Sequence, residues 1–510
     1  MKKSIRIATL ILSLVLFVTS LVSCGGAKET ESEEIKHESN QLESESFDEN
    51  ENPRLAVKDG IPADLSYAKA SDNRVTFFVR DDSDIFKYEM DVNEITNDTL
   101  WDAIYERNAL VENRLGVEIT TIAQPGAWGG PHEIWFQTLR NAVNTKSGDY
   151  DGANIYMSQG SPLALEGMYY SLLNFPNVDL KKPWWNQNII EELTIFDTLF
   201  YLAGDLAISE IAQGYAFFYN KDMFYELYST QNIDLYQMVR DGEWTVDKLY
   251  EFCAAAWTDN NSSGVIDDGD TIGYTAKYPY APYDVLLEAM DVHITTQVNG
   301  IPTLTFYNER TVEVFEKLQN FHLNNPGVLY SNDARTKTSF AANRVLFQFG
   351  TMETGNKLRN VEFEYGVLPI PKFDTEQEEY RTSCNNTASL IVVLSSLPAD
   401  KTEMVGATLE LMAAGSYKTV TPAYYDIVLK SKRASSSEDA EMYDLILNSY
   451  SYSFGFIHST ASIAQIGTLF RNFTTDLAQR YESKAQSYDY ALEILIDKFD
   501  ELAFTLYGNN

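Results

Sequence analysis

From Asp259 to Asp270 the chain reads Asp-Asn-Asn-Ser-Ser-Gly-Val-Ile-Asp-Asp-Gly-Asp, a spacing of oxygen donors that suits a hard divalent cation. With Asp259 as position 1, side-chain oxygens of Asp259, Asn261, Ser263, Asp267 and Asp270 fall at positions 1, 3, 5, 9 and 12. Val265 supplies a backbone carbonyl at position 7, and Gly264 stands at position 6, where the loop must turn sharply. This resembles the EF-hand calcium loop. Position 12 is Asp instead of the longer Glu, and Thr271–Thr275 reads as a strand instead of a second helix. Two readings stay open: a structural calcium held by these six residues, or an Asx-rich turn with no ion. Nothing else in the chain requires a cofactor.

Aromatic residues in loop-like settings are the second chemical signal. Trp128 sits among Gly126, Gly129 and Gly130; Trp184-Trp185 follows Pro183; Tyr278–Tyr283 is rich in Tyr and Pro; Tyr424-Tyr425 follows Pro422. Sugar rings lay their C–H faces on aromatic rings and take amide and carboxylate partners for their hydroxyls. A cleft lined by Trp and Tyr with Asp, Asn and Gln is carbohydrate-binding chemistry. Any one aromatic is more at home in a core, but Trp128 and Tyr283 have loop-like flanks.

Catalytic signatures are scarce. His37, His132, His293, His322 and His458 are scattered, none in H-E-x-x-H spacing, and there is no G-x-S-x-G elbow or P-loop. With 74 Asp and Glu, some carboxylates are neighbours everywhere, so no glycosidase pair can be read out. The formal charge of −35 argues against nucleic acid, whose binding depends on neutralising phosphates, and gives no electrostatic help on anionic lipid. Its simplest consequence is solubility.

The chain begins with Lys2, Lys3 and Arg6, then the apolar run Ile7–Val18, then Leu21-Val22-Ser23-Cys24. That run is shorter than the roughly 20 residues a spanning helix needs and suits a signal peptide. Leu-Val-Ser-Cys resembles a lipobox, which implies removal of residues 1–23 and a lipid such as palmitate on Cys24; the alternative is an uncleaved single-span anchor. Lys28–Glu51 is rich in Glu, Ser and Asn and nearly free of bulky apolar residues, so residues 24–71 are read as an acidic disordered spacer. The location expected is extracytoplasmic, tethered by lipid. Cys253 and Cys384 could pair or stay as two idle thiols.

The elements that must position these groups follow a βαβ rhythm. Strands are expected at Val75–Val79, Val117–Ile122, Ala153–Met157, Phe200–Ala203, Ala216–Tyr219, Val345–Phe349, Tyr365–Leu368 and Leu390–Leu394. Helices are expected from Trp101 to Leu115 with Gly116 as the stop, then at Glu133–Val143, Leu163–Leu173, Lys221–Tyr228, Val246–Trp257, Tyr283–Met290 and Arg310–Asn320. A last helix, Tyr490–Tyr507, places Ala491, Leu492, Leu495, Ile496, Phe499, Leu502 and Leu506 on one face, to pack on the body. The class is α/β with mainly parallel sheets flanked by helices.

Several stretches then resemble one family in order and spacing: Asn108–Val117 (NALVENRLGV), Tyr150–Leu173 with Pro183-Trp184-Trp185-Asn186, Ala216–Phe224 (AFFYNKDMF), Gly242-Glu243-Trp244-Thr245 and Tyr365–Phe373 (YGVLPIPKF). Together with the lipobox they resemble the extracellular solute-binding lipoproteins of ATP-driven (ABC) importers, in the maltodextrin-binding-like group. The resemblance covers nearly everything after residue 72. It implies a two-lobe periplasmic-binding-protein fold with a hinge. Residues 72–212 would be lobe 1, 213–388 lobe 2, 389–420 the return to lobe 1, and 421–510 C-terminal helices mainly on lobe 2. It implies a monomer that binds a solute, most naturally an oligosaccharide, in the cleft and delivers it to permease subunits without catalysis. By the same resemblance Gln159, Ser161, Gln213, Tyr215, Gly350, Met352 and Tyr424 would line the cleft. Met352 stands where carbohydrate binders of the group often stack an aromatic ring. Strand-end reasoning adds Asp81, Asp82 and Trp128, since ligands sit at the carboxyl ends of parallel strands. The competing functions are a surface enzyme acting on polysaccharide and an adhesion lipoprotein.

Overall fold

The computed structural model describes residues 53–507, apart from 268, 278–282, 332–339, 359, 430–435 and 459–462. Cys24, the signal segment and residues 24–52 of the spacer lie outside the described residues, as does most of Tyr278–Tyr283.

The strands are β1 (Arg74–Arg80), β2 (Glu118–Gln124), β3 (Gly152–Tyr156), β4 (Tyr215–Asn220), β5 (Ile272–Lys277), β6 (Thr295–Val298), β7 (Ile301–Leu304), β8 (Val328–Ser331), β9 (Val345–Thr351), β10 (Tyr365–Leu368) and β11 (Ser389–Val393). One sheet has the order β11-β3-β1-β2 and a second the order β10-β4-β9-β5-β8. β6 and β7 form a separate hairpin through Asn299-Gly300, both at positive φ (54° and 76°), the Asn-Gly turn that matches strand twist. In β1, Phe78 joins one hydrophobic cluster while Val75, Phe77 and Val79 join the other, so this strand is covered on both faces, as parallel strands are.

The helices that matter for the site are α1 (Thr99–Leu115), α2 (Gly130–Thr145), α3 (Ser161–Leu165), α4 (Gln187–Leu193), α5 (Ile208–Ala212), α6 (Lys221–Tyr228), α7 (Val246–Ala256), α8 (Tyr283–Ala289), α9 (Glu309–Asn324), α10 (Thr402–Gly415), α11 (Thr421–Leu429), α12 (Ser437–Asn448) and α13 (Ala485–Tyr507). α1 starts where the Asp98 carboxylate accepts the Leu100 and Trp101 N–H groups and stops at Gly116 with φ 68°, as its sequence implies.

Each sheet is mainly parallel, as expected, with one reversed strand: β11 in the first sheet and β4 in the second. β1–β2, β1–β3, β5–β8 and β5–β9 are parallel, while β11–β3, β4–β9 and β4–β10 are antiparallel. β4 and β11 enter their sheets by direct crossings at the carboxyl ends of the parallel strands, so they must run against their neighbours. The helix expected at Leu163–Leu173 stops at Leu165; Gly167 takes φ 72°, and the chain beyond bridges Tyr169 to Leu394. Phe200–Ala203 is not a strand but a single bridge, Leu202 to Ile391, at the edge of the first sheet. In α13, Leu492, Leu495 and Phe499 are buried as expected, but Leu506 is 45% exposed.

Residues 53–71, expected in the spacer, lie against the body. Arg114 donates to Asp59 through both terminal nitrogens (2.9 and 3.1 Å) and to the Ile61 carbonyl (2.7 Å). The Tyr67 N–H donates to Leu115 O (2.6 Å), and Val57, Leu65 and Tyr67 pack on the cluster behind the first sheet. The sequence hides this arm because each anchor is one short side chain with a distant partner. The two cysteines do not pair: Cys253 and Cys384 are both buried and free.

Candidate functional site

Three chain crossings lie side by side between the two sheets. The first, Ala212–Tyr215, links α5 to β4; the second, Thr382–Ser389, leads to β11; the third runs through Tyr450. Gly214 pairs antiparallel with Cys384, and Thr382 pairs parallel with Tyr450. The Asn385 N–H donates to Gln213 O (2.9 Å), the Tyr215 N–H to Ser383 O (3.1 Å) and the Met352 N–H to Gly214 O (2.8 Å). A narrow ribbon of this kind can bend while the sheets it joins stay rigid, which is how hinge closure is built.

Polar groups collect on this ribbon. Gln213 Nε2 donates to Glu353 Oε2 (3.1 Å). Asn385 Nδ2 donates to the Tyr215 hydroxyl (2.9 Å), and Asn385 Oδ1 accepts from the Thr387 N–H and hydroxyl (3.0 Å each). The Tyr215 ring stacks on Phe349 at 5.0 Å. Amides, a carboxylate and an aromatic face thus meet where β4 starts and β9 ends.

The carboxyl end of the first sheet is buttressed around Arg80, which is 0% exposed. Its guanidinium lies 3.9 Å from the Phe86 ring and 3.8 Å from the Tyr156 ring. Nη2 donates to Thr387 O (2.7 Å) and Ser389 Oγ (3.3 Å), and Nη1 is 3.7 Å from Asp82. Tyr156 donates to Asp82 (3.4 Å) and meets His132 edge-on at 4.7 Å; His132 in turn lies 5.1 Å from Trp128. Burial lowers the His132 pKa, which keeps that ring neutral. The outcome is a rigid stack ending in Trp128, an indole 71% exposed. Behind it, buried Glu89 accepts from Asn154 Nδ2 (2.8 Å), Ser209 N–H (3.3 Å) and Ser389 Oγ, tying β3, α5 and β11 together beside the first two crossings. Burial raises the Glu89 pKa against these donors.

The expected cleft residues divide by position. Asp82, Trp128 and the backbone of Gln159 and Ser161 sit at the carboxyl ends of β1, β2 and β3. Gln213, Tyr215 and Gly350 are on the crossing ribbon and the end of β9. Tyr283 opens α8. Met352 and Tyr424 are 1% and 3% exposed, so both side chains pack within the core. Arg80, Asn385, Thr387 and Glu353 escaped the sequence reading. Arg80 left a signal, a charged residue closing the apolar run Val75–Val79, and Asn385-Asn386-Thr387 is a polar run directly before a strand.

The 259–270 loop is folded on its own groups. The Asp259 carboxylate accepts the Ser263 and Gly264 N–H groups (3.1 and 2.8 Å), Asn261 Nδ2 donates to Asp267 (3.0 Å), and Asp270 accepts from Trp257 Nε1 and the Asp267 N–H. Among the described residues no group of three or more His, Cys, Asp or Glu is placed to hold a metal.

No protein-family model matches the chain, and no curated protein matches its sequence. Solved structures do match its fold. A cyclo/maltodextrin-binding protein complexed with maltotetraose aligns with TM-score 0.53 at 12% identity, over 84% of this chain and 97% of that one. UspC of M. tuberculosis aligns with TM-score 0.50 at 14% identity, over 83% and 100%. The architecture is therefore the two-lobe α/β fold of such binding proteins. No described helix is long and apolar enough to cross a membrane.

Proposed function

We propose that this protein is the extracytoplasmic substrate-binding component of an ABC importer, taking a solute, most naturally an oligosaccharide, into the cleft between its sheets. The observation that carries this reading is the ribbon of three adjacent crossings, with amide, carboxylate and aromatic groups on it and the carboxyl ends of parallel strands beside it. A fold-level match cannot by itself assign activity, so the weight rests on that site chemistry. The lobes divide at the crossings: 72–212 and 389–420 around the first sheet, 213–388 around the second, with 421–510 mainly on the second. Closure over ligand presents the closed form to permease subunits, so affinity is coupled to a two-state equilibrium. The protein acts as a monomer, without catalysis.

Within this reading, Trp128 is the stacking platform at the cleft rim, and Asp82, Gln159, Ser161, Gln213, Tyr215, Tyr283 and Gly350 supply the remaining contacts. Met352 and Tyr424 support the wall from behind. Cys24 carries the lipid, and the acidic segment after it gives the body freedom to dock. A calcium ion at 259–270 would be structural; its test is a melting midpoint that rises with calcium and not with magnesium.

The deciding experiment is a thermal-shift screen against malto-oligosaccharides, other glycans, amino acids and peptides, followed by chromatography of the mixture. Saturable stabilisation by a glycan with no cleavage product is expected. A cleavage product would turn the assignment to the surface-enzyme reading, and stabilisation by a peptide alone would end the carbohydrate reading.

A further inference from the structure

A cavity lies beside the third crossing and is lined in part by Tyr450. It encloses about 420 Å³. Trp184, Asn188 and Asp205 line it together with Asp444 and Asn448 of α12, which packs on β10 of the second sheet. Arg54 of the docked arm reaches into it. Its guanidinium carbon lies 4.6 Å from the Tyr417 ring centre and 5.9 Å from that of Tyr425. Nη1 donates to the Tyr417 carbonyl (3.2 Å) and lies 3.5 Å from Asp205.

The helix itself prepares the Tyr417 carbonyl. α10 runs into α11 through a π turn, Ser416–Val420, in which the Thr421 N–H donates to Ser416 O. The donor that would serve Tyr417 O in the same register is residue 422, a proline, which has no N–H. The helix thus leaves one acceptor without a partner of its own, in a turn type often found at functional sites. Asp205 is half-buried and oriented by the Thr421 hydroxyl (2.6 Å). Two aromatic faces, one carboxylate and one stranded carbonyl are what a planar guanidinium satisfies and a point-like ammonium satisfies less well.

We propose that the part of this cavity's wall formed by Tyr417, Tyr425 and Asp205 is a guanidinium-binding cage, occupied in cis by Arg54, that reversibly docks the first described residues of the arm on the body. Docking is reversible because the Arg54 side chain stays 29% exposed, so water can take over its contacts as the arm leaves. An arginine side chain of another peptide would compete for the same cage. The inference stands apart from the transport reading and does not depend on it.

The test uses the full chain, its Arg54→Ala variant and methylguanidinium as probe. A lysine-specific protease should cut after Lys58 at least tenfold faster in the variant, with the melting midpoint of the body unchanged. Titration calorimetry should show saturable methylguanidinium binding to the variant and none to the parent, whose cage is already filled. Asp205→Asn added to the variant should abolish that binding. Unchanged cleavage at Lys58 would overturn docking, and faster cleavage without methylguanidinium binding would overturn the cage. Arg54→Lys should cleave at an intermediate rate; full protection by lysine would reduce the cage to simple charge attraction and overturn it too.

Discussion

Two guanidinium groups, Arg80 and Arg54, occupy sites of nearly the same composition and serve opposite ends. Each lies on aromatic rings, each has an aspartate as ionic partner and each donates to a backbone carbonyl. Arg80 belongs to a central strand, is 0% exposed, and has ring contacts of 3.9 and 3.8 Å. Arg54 belongs to an arm outside the sheets, remains 29% exposed, and has ring contacts of 4.6 and 5.9 Å. The same chemistry is a fixed post when the backbone that carries it cannot leave, and a detachable one when it can. What differs is the guanidinium and its backbone: Arg80 is fully buried on a central strand, whereas Arg54 is reached by water and sits on an arm outside the sheets.

The contrast is broken most directly at Arg80. Arg80→Ala should destabilise the protein by about 2–5 kcal/mol in chemical denaturation, the range for truncating a large, fully buried side chain. A loss below about 1 kcal/mol would mean that the stack under Trp128 is held by something else. Arg54→Ala should lie at the other extreme, at about 1 kcal/mol or less on the same measurement, the scale of partly exposed ion pairs and cation–π contacts.

Between these extremes, Trp128→Ala should leave stability nearly unchanged, since the indole is exposed, yet weaken glycan binding about tenfold, close to 1.4 kcal/mol. Equal affinity in that variant would remove Trp128 from the cleft while leaving Arg80's role intact. The smallest effect separates the two sites by pH. Burial raises Asp205 to about 6, while Arg54 and the Thr421 hydroxyl pull it back. Above that value the carboxylate is charged and holds Arg54; below it Asp205 takes up a proton and the arm loosens. Cleavage after Lys58 should therefore be faster at pH 5 than at pH 7.5, and Asp205→Asn should abolish the difference. The body responds with the opposite sign. A carboxyl whose folded pKa is raised contributes stability that is full below its ordinary range and lost as pH rises through about 6. Glu210, raised to about 7 by burial, also lines this cavity and adds to the same slope. Asp444 lines it as well.

Much of the fold could be read from local pattern. α1 with its Asp98 and Gly116 ends, α6 at Lys221–Tyr228 and β10 at Tyr365–Leu368 were legible because propensity, capping and periodicity agree there. The failures share a cause. Leu163–Leu173 has helical periodicity, but Gly167 at φ 72° turns the chain back toward β11. Phe200–Ala203 has strand composition but bridges β11 at a single residue, Leu202 to Ile391. β6 and β7 went unread although Asn299-Gly300 announces them. Of the candidate site, the exposure of Trp128 was legible from its glycine neighbours, whereas Met352 and Tyr424 look identical in sequence whether they face a ligand or a core.

By itself the sequence determined the α/β class, the scarcity of catalytic motifs, the acidic surface and most element ends, because each depends on composition or on residues a few positions apart. Only the tertiary structure decided that Arg80 and Thr387, or Arg54 and Asp205, would meet. Their separations along the chain, 307 residues for the first pair, leave no local trace. A guanidinium looks the same in sequence whether it holds a strand, docks an arm or faces water, and burial and partner geometry, which exist only after folding, tell these apart.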